Sequence, residues 1–138
     1  MLRRILYTSR ATEGVTLRDV YDIIRVSHNR NSQAALTGGL IYLEGRFYQL
    51  LEGFPYAIDT SFERILRDKR HQEIELRIDE AAEPVFAADW MALRDGSQID
   101  PQILADHSYQ PGMPKSVFTG EQVLALLMAC FDKELVEV

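Results

Sequence analysis

Apolar and polar residues along this chain recur at two different periods, and the switches between them divide it into elements. Over residues 2–9 the period is two, with Ile5, Tyr7 and Ser9 on one face and Leu6 and Thr8 on the other, which predicts a first strand. Thr16-Leu17-Arg18-Asp19 has the pattern of a capping box, in which paired side chains satisfy the unpartnered amides at a helix start. Leu17, Val20, Ile23 and Ile24 follow at helical spacing and predict a first helix that ends in the polar stretch 27–32. Two further strand-like runs, 36–43 and 46–51, meet at Glu44-Gly45, a tight hairpin turn by its composition. After Gly53-Phe54-Pro55, the set Ile58, Phe62, Ile65 and Leu66 returns to helical spacing and predicts a second helix closing in the charged run 67–71. Ile74, Leu76 and Ile78 alternate with Glu75, Arg77 and Asp79, a fourth strand with one wet face, and 86–93 supplies a fifth beyond Pro84.

The order β-α-β-β-α-β-β predicts an α+β fold, a ferredoxin-like sandwich on a five-stranded mixed sheet. In the third strand Phe47 and Leu51 need cover on one face while Tyr48 and Leu50 need it on the other, and the first two helices reach only one side. A large apolar side chain gains roughly 1.5–3 kcal/mol on burial, so the second face is expected beneath the C-terminal segments. There, Asp100-Pro101 opens a short helix, 111–114 breaks it, and Thr119 with Gln122 caps a longer one whose stripe is Val123, Leu126, Leu127, Cys130 and Phe131. The expected division is a core over 1–93 and a helical cap over 94–138, with two helices on each face of the sheet.

Length and charge narrow the function classes. With 138 residues, one domain is expected. A formal net charge of −6 argues against a phosphate-tracking surface, and so against a nucleic-acid partner. The single Cys130 excludes an internal disulfide or a cysteine metal cluster and fits a reducing cytoplasm. The N-terminal apolar run Ile5-Leu6-Tyr7 is too short for a signal segment or a membrane span.

Gln49 stands out because alternation sets it on the face of Phe47 and Leu51, where a primary amide must find partners. Two readings are open: a core Gln satisfied by backbone groups, or an amide turned to the polar edge of a ligand. Tyr7 lies on the matching face of the first strand, which this fold sets beside the third, so its hydroxyl is placed to meet that amide. On the first helix Ser27 and Asn31 are four apart, suited to a capped helix end or to the edge of a heterocycle.

In order and spacing, Tyr7-Thr8-Ser9, Ser27 with Asn31, Leu36-Thr37-Gly38, Phe47 with Gln49 and Glu52-Gly53, and Arg67-Asp68 with Arg70-His71 resemble the BLUF family over residues 2–93. The resemblance implies a blue-light sensor, not an enzyme, that binds FAD between the first two helices. It implies Asn31 on the polar edge of the flavin ring, Gln49 near N5 and the C4 carbonyl, and Tyr7 bonded to Gln49. Asp68, Arg70 and His71 match a polar cluster facing the ring edge and ribityl chain, although basic residues at a helix end also complement its dipole. Arg30, just before the ring-binding Asn31, is expected to reach a phosphate. Family members carry Phe, two residues, Trp, one residue and Met in the fifth strand as a signal relay, whereas Trp90 and Met91 are adjacent here, and a one-residue offset sends a side chain to the other face. Short members of the family pair or form rings; the apolar face of the last helix with Phe118 and Tyr109 is expected to serve that, and the signal to pass to a separate protein. Two other readings are an acylphosphatase-like hydrolase using Arg10 with an Asn, and a flavin-free ferredoxin-like protein-binding module.

Overall fold

The computed structural model of the chain describes residues 1–86 and 91–135, the side chains of residues 24, 27–29, 31–33 and 91 excepted. Five strands, β1 (Arg3–Ala11), β2 (Thr37–Leu43), β3 (Arg46–Gly53), β4 (His71–Ala81) and β5 (Met91–Asp95), form one sheet in the order β4-β1-β3-β2-β5. Only β5, which runs parallel to β2, departs from antiparallel pairing. Helices α1 (Leu17–Gln33) and α2 (Pro55–Arg67) cover one face, while α3 (Pro101–Asp106) and α4 (Gly120–Cys130) belong to the other. This is the expected ferredoxin-like α+β sandwich on a mixed sheet: the β1-α1-β2 crossover leaves a one-strand gap, and the hairpin from β2 inserts β3 into it.

Local chemistry sets these elements. The Thr16 amide bonds Asp19 Oδ2 at 2.9 Å and the Asp19 amide bonds Thr16 Oγ1 at 3.2 Å, the reciprocal cap expected at the start of α1. That helix runs through the polar stretch 27–32 instead of ending there. The turn out of it comes at Ala35, whose φ of 58° is a left-handed stop. Glu44 and Gly45 both have positive φ, 51° and 75°, the twist a two-residue hairpin needs. Thr119 and Gln122 close a capping box on α4.

Two strand expectations need correction. Along β4 the register slips between Leu6 and Tyr7, whose partners are Ile78 and Leu76, so Arg77 is an extra residue. Such a bulge re-phases the faces: Ile78 is buried against the α4 side and Leu76 is left exposed. Arg77 reaches Thr8 Oγ1 at 3.4 Å and the Phe118 carbonyl at 3.2 Å, and desolvation there lowers its pKa. Among the described residues the fifth strand covers Met91–Asp95, and Phe86 is not paired within it. Phe86 instead makes an isolated antiparallel bridge with Leu135, its amide being held by the Glu52 carboxylate. Residues 87–90, with Trp90, lie outside the described residues.

Both faces of the sheet are buried. On the α4 side Leu6, Tyr48, Leu50, Ile78 and Phe86 pack with Val123, Leu127 and Phe131. On the other, Ile5 and Leu51 pack with Ile58 of α2, and Leu40 and Phe47 pack with Val20 of α1. The apolar stripe of α4 is therefore consumed inside the molecule. Phe118 is buried with it and does not offer the expected surface for self-association, while half-buried Tyr109 packs against the same cluster. Half-buried Cys130 has its thiol pushed up to about 11 by burial. No helix among the described residues is long and apolar enough to cross a membrane.

Candidate functional site

A cleft lies between α1 and α2, floored by β1 and β3 at the pair where Tyr7 stands opposite Gln49. Antiparallel neighbours point the same way, so both side chains enter the cleft from below. The Tyr7 hydroxyl donates to Gln49 Oε1. With its carbonyl turned to the phenol, the amide directs its two N–H donors away from Tyr7. Tyr7 is 4% and Gln49 5% exposed. Burial, with the Asp68 charge adding to it, drives the phenol pKa far up, so Tyr7 stays protonated across the physiological range.

The walls are apolar: Ile23 and Val26 from α1, Leu40 and Phe47 from the sheet, and Ile65 from α2. The Phe62 ring packs 5.8 Å from the Tyr7 ring. At the far end of α2, Arg70 grips Asp68 through Nη2 at 2.6 Å and Nε at 2.9 Å, while the Arg70 backbone amide bonds the same carboxylate at 2.9 Å. The Arg70 side chain holds the Asp68 carboxyl below its usual range. Arg30 and Arg64 stand exposed at the mouth, where they also line an adjoining groove with Tyr56, Thr60 and Ser61.

The structure brings Tyr7, Arg30, Gln49, Asp68, Arg70 and His71 to one cleft. His71 is tied within the protein at both ring nitrogens: Nε2 lies 2.6 Å from the Ile65 carbonyl and Nδ1 2.7 Å from Ser9 Oγ. A carbonyl only accepts, so Nε2 carries a hydrogen and donates it, while Nδ1 shares a hydrogen bond with the Ser9 hydroxyl. His71 thus braces β1 and β4 against α2. The side chains of Ser27, Asn31 and Met91 lie outside the description; their backbones sit in α1 and, for Met91, opposite Gly38 at the start of β5. Sequence reading missed Ser61 and Arg64, although Arg64 and Ile65 fall three and four after Ser61 on α2, one helical stripe. Arg10, needed by a phosphatase reading, is ion-paired with Glu73 at 2.8 Å.

This donor set fits a flavin nucleotide. The slot has apolar walls for a flat ring, an amide and a phenol at its floor, and arginines at its mouth where phosphates would emerge.

Comparison with known proteins agrees with that geometry. Residues 2–92 match the profile of BLUF, sensors of blue light using FAD. The β subunit of photoactivated adenylate cyclase from Euglena gracilis is 32% identical over 90 residues, 64% of this chain but 10% of the subunit. The blue light- and temperature-regulated antirepressor BluF of Escherichia coli is 30% identical over 96 residues, 69% of this chain and 24% of that protein. This chain thus spans a tenth to a quarter of the length of these two relatives. The solved dark-state structure of BlrB, a BLUF protein, is 28% identical with a TM-score of 0.75, covering 96% of each chain. With two thirds of its length matching the family profile, the chain belongs to the BLUF family of blue-light sensors that use FAD.

Proposed function

We propose that Tyr7 and Gln49 are the photoactive pair of this sensor and that the cleft residues around them hold its flavin. The observation that carries this reading is the Tyr7–Gln49 hydrogen bond on the buried floor of a slot with apolar walls and charged residues at its mouth. When bound, an oxidised flavin excited by blue light supplies a strong oxidant and a proton acceptor. Tyr7, a protonated phenol in a desolvated position, gives up an electron and a proton and takes both back. Gln49, with a donor and an acceptor on one amide, would be left rearranged by rotation or tautomer change and would hold a different hydrogen bond to the cofactor, giving the red-shifted state. No group is consumed, so the reaction is a switch without turnover.

In this reading Ser27, Asn31, Asp68, Arg70 and His71 line the ring and ribityl chain, His71 as a brace. Arg30, joined by Arg64, meets the phosphates. Trp90 and Met91 form the relay toward residues 94–138, an output region beside a sensor core of 1–93. The output goes to a separate protein or a second copy of the chain in the cytoplasm; the antirepressor relative carries the same module within a longer chain. Purified protein loaded with FAD is expected to show a reversible red shift under blue light. Tyr7→Phe and Gln49→Leu should each retain the flavin and lose that shift, and a normal photocycle in either variant overturns the assignment. Asn31→Ala should raise the dissociation constant for FAD; pull-downs and sedimentation in dark and light identify the output.

A further inference from the structure

Three residues after Gln49 on the same strand, and by alternation on the opposite face, Glu52 is 1% exposed. Such burial of a carboxylate demands donors, and the structure supplies three: Thr37 Oγ1 at 2.9 Å, the Val85 amide at 2.6 Å and the Phe86 amide at 3.2 Å. Two of the three belong to the backbone of a segment remote in sequence, so one side chain of β3 fixes where that segment runs.

Phe86 is in turn the junction with the end of the chain. Its backbone bridges Leu135, and its ring meets the Phe131 ring edge-on at 5.6 Å. Both rings seat against Gly39, where a β-carbon would lie 2.6 Å from Phe131 and 2.9 Å from Phe86. Arg94 of β5 lies over the Phe131 ring at 5.1 Å and pairs with Glu134. The segment Phe131–Leu135 is therefore held at two places, by Arg94 and by Phe86, and Phe86 is held by Glu52.

We propose that Glu52 is a positioning residue that clasps the Val85–Phe86 backbone to β3, and that light weakens this clasp and loosens residues 131–135 from the sheet. The proposal rests on the Tyr7–Gln49 reading above. It supplies a route from the photoactive strand to the C-terminal segment that does not require Trp90. A displacement of β3 by a few tenths of an ångström is felt at bonds of 2.6 and 3.2 Å, because hydrogen bonds weaken steeply with stretch and misalignment. The movable element is the Phe86–Leu135 bridge, made or broken.

Amide exchange, read by mass spectrometry on peptides covering 81–86 and 131–135 in the FAD-loaded protein, tests this in dark and light. Both peptides are expected to exchange several-fold faster under illumination. In Glu52→Gln one acceptor oxygen becomes a donor facing an amide donor. Dark exchange of both peptides should then already be fast and the light-dark difference should vanish, while the flavin red shift forms to its normal extent. Thr37→Val, which spares both backbone bonds, should shrink that difference less than Glu52→Gln does. An undiminished light-dark difference at 131–135 in Glu52→Gln overturns the proposal. So does a red-shifting wild type whose peptide 81–86 is unaffected by light, a result that needs no variant to fold. A wild type that binds FAD but gives no red shift sinks the photoreceptor reading itself.

Discussion

A buried phenol beside an amide behaves differently from either residue in water, and Tyr7 shows the consequence most directly. Its folded pKa is raised above the unfolded value of about 10. Its contribution to stability is fully present below pH 10 and is lost above it, because the unfolded chain releases a proton that the folded chain retains. The amplitude of the red shift is therefore expected to be flat from about pH 7 to 9. The thermal midpoint should fall above pH 10, less steeply in Tyr7→Phe than in wild type; Tyr48 and Tyr109, also raised by burial, keep the limb from disappearing. Equal alkaline limbs in the two proteins would contradict the assigned burial. Ser9 makes a comparable case: Ser9→Ala leaves His71 Nδ1 without its hydroxyl partner, and the urea midpoint should drop by an amount equivalent to about 1 kcal/mol.

Elements carry the next level of constraint, through shape more than through charge. Gly39 of β2 is needed because two aromatic rings occupy the space a β-carbon would take. Gly39→Ala must displace Phe131 or Phe86, and overpacking of this kind costs about 1–3 kcal/mol, readable in a denaturant melt. Helix α4, 11 residues long, depends on its cap as well as its stripe. Thr119→Ala should cost about 1 kcal/mol and leave the absorption spectrum of the loaded protein unchanged, since α4 lies across the sheet from the cleft. The ion pairs Arg3–Asp79, Arg4–Glu80 and Arg10–Glu73 join β1 to β4 at partly exposed positions, where such pairs contribute little to stability. A charged outer strand does discourage edge-to-edge pairing with another chain.

At the scale of the whole molecule, a sheet buried on both faces divides the labour. One face, with α1 and α2, makes the cleft, and the other, with α4 and the C-terminal segment, closes the core. The strand β3 serves both, Gln49 toward the cleft and Tyr48, Leu50 and Glu52 away from it. Removal of residues 116–138 would uncover Leu6, Tyr48, Leu50 and Ile78 together. The truncated protein is expected to aggregate or to form larger oligomers by light scattering, whether or not flavin is added, because an apolar surface of that extent associates.

The sequence by itself determined the element order, the ferredoxin-like sheet, the facing of Tyr7 and Gln49, and the caps of α1, α3 and α4. These follow from local periodicity and from side chains that bond amides two or three residues away. Family membership was legible for a related reason: the motifs that resemble the family are short spacings along strands and helix ends. Tertiary structure alone decided what depends on residues far apart. The bulge at Arg77 arises from pairing with β1 and reverses which side chains of β4 are buried. Phe86 left the strand pattern because a carboxylate 34 positions away captures its amide. The α4 stripe covers the second face as its spacing led one to expect, but Phe118, expected on a surface for partners, is buried in the same cluster. Periodicity tells which side chains need cover; only the assembled sheet determines what covers them.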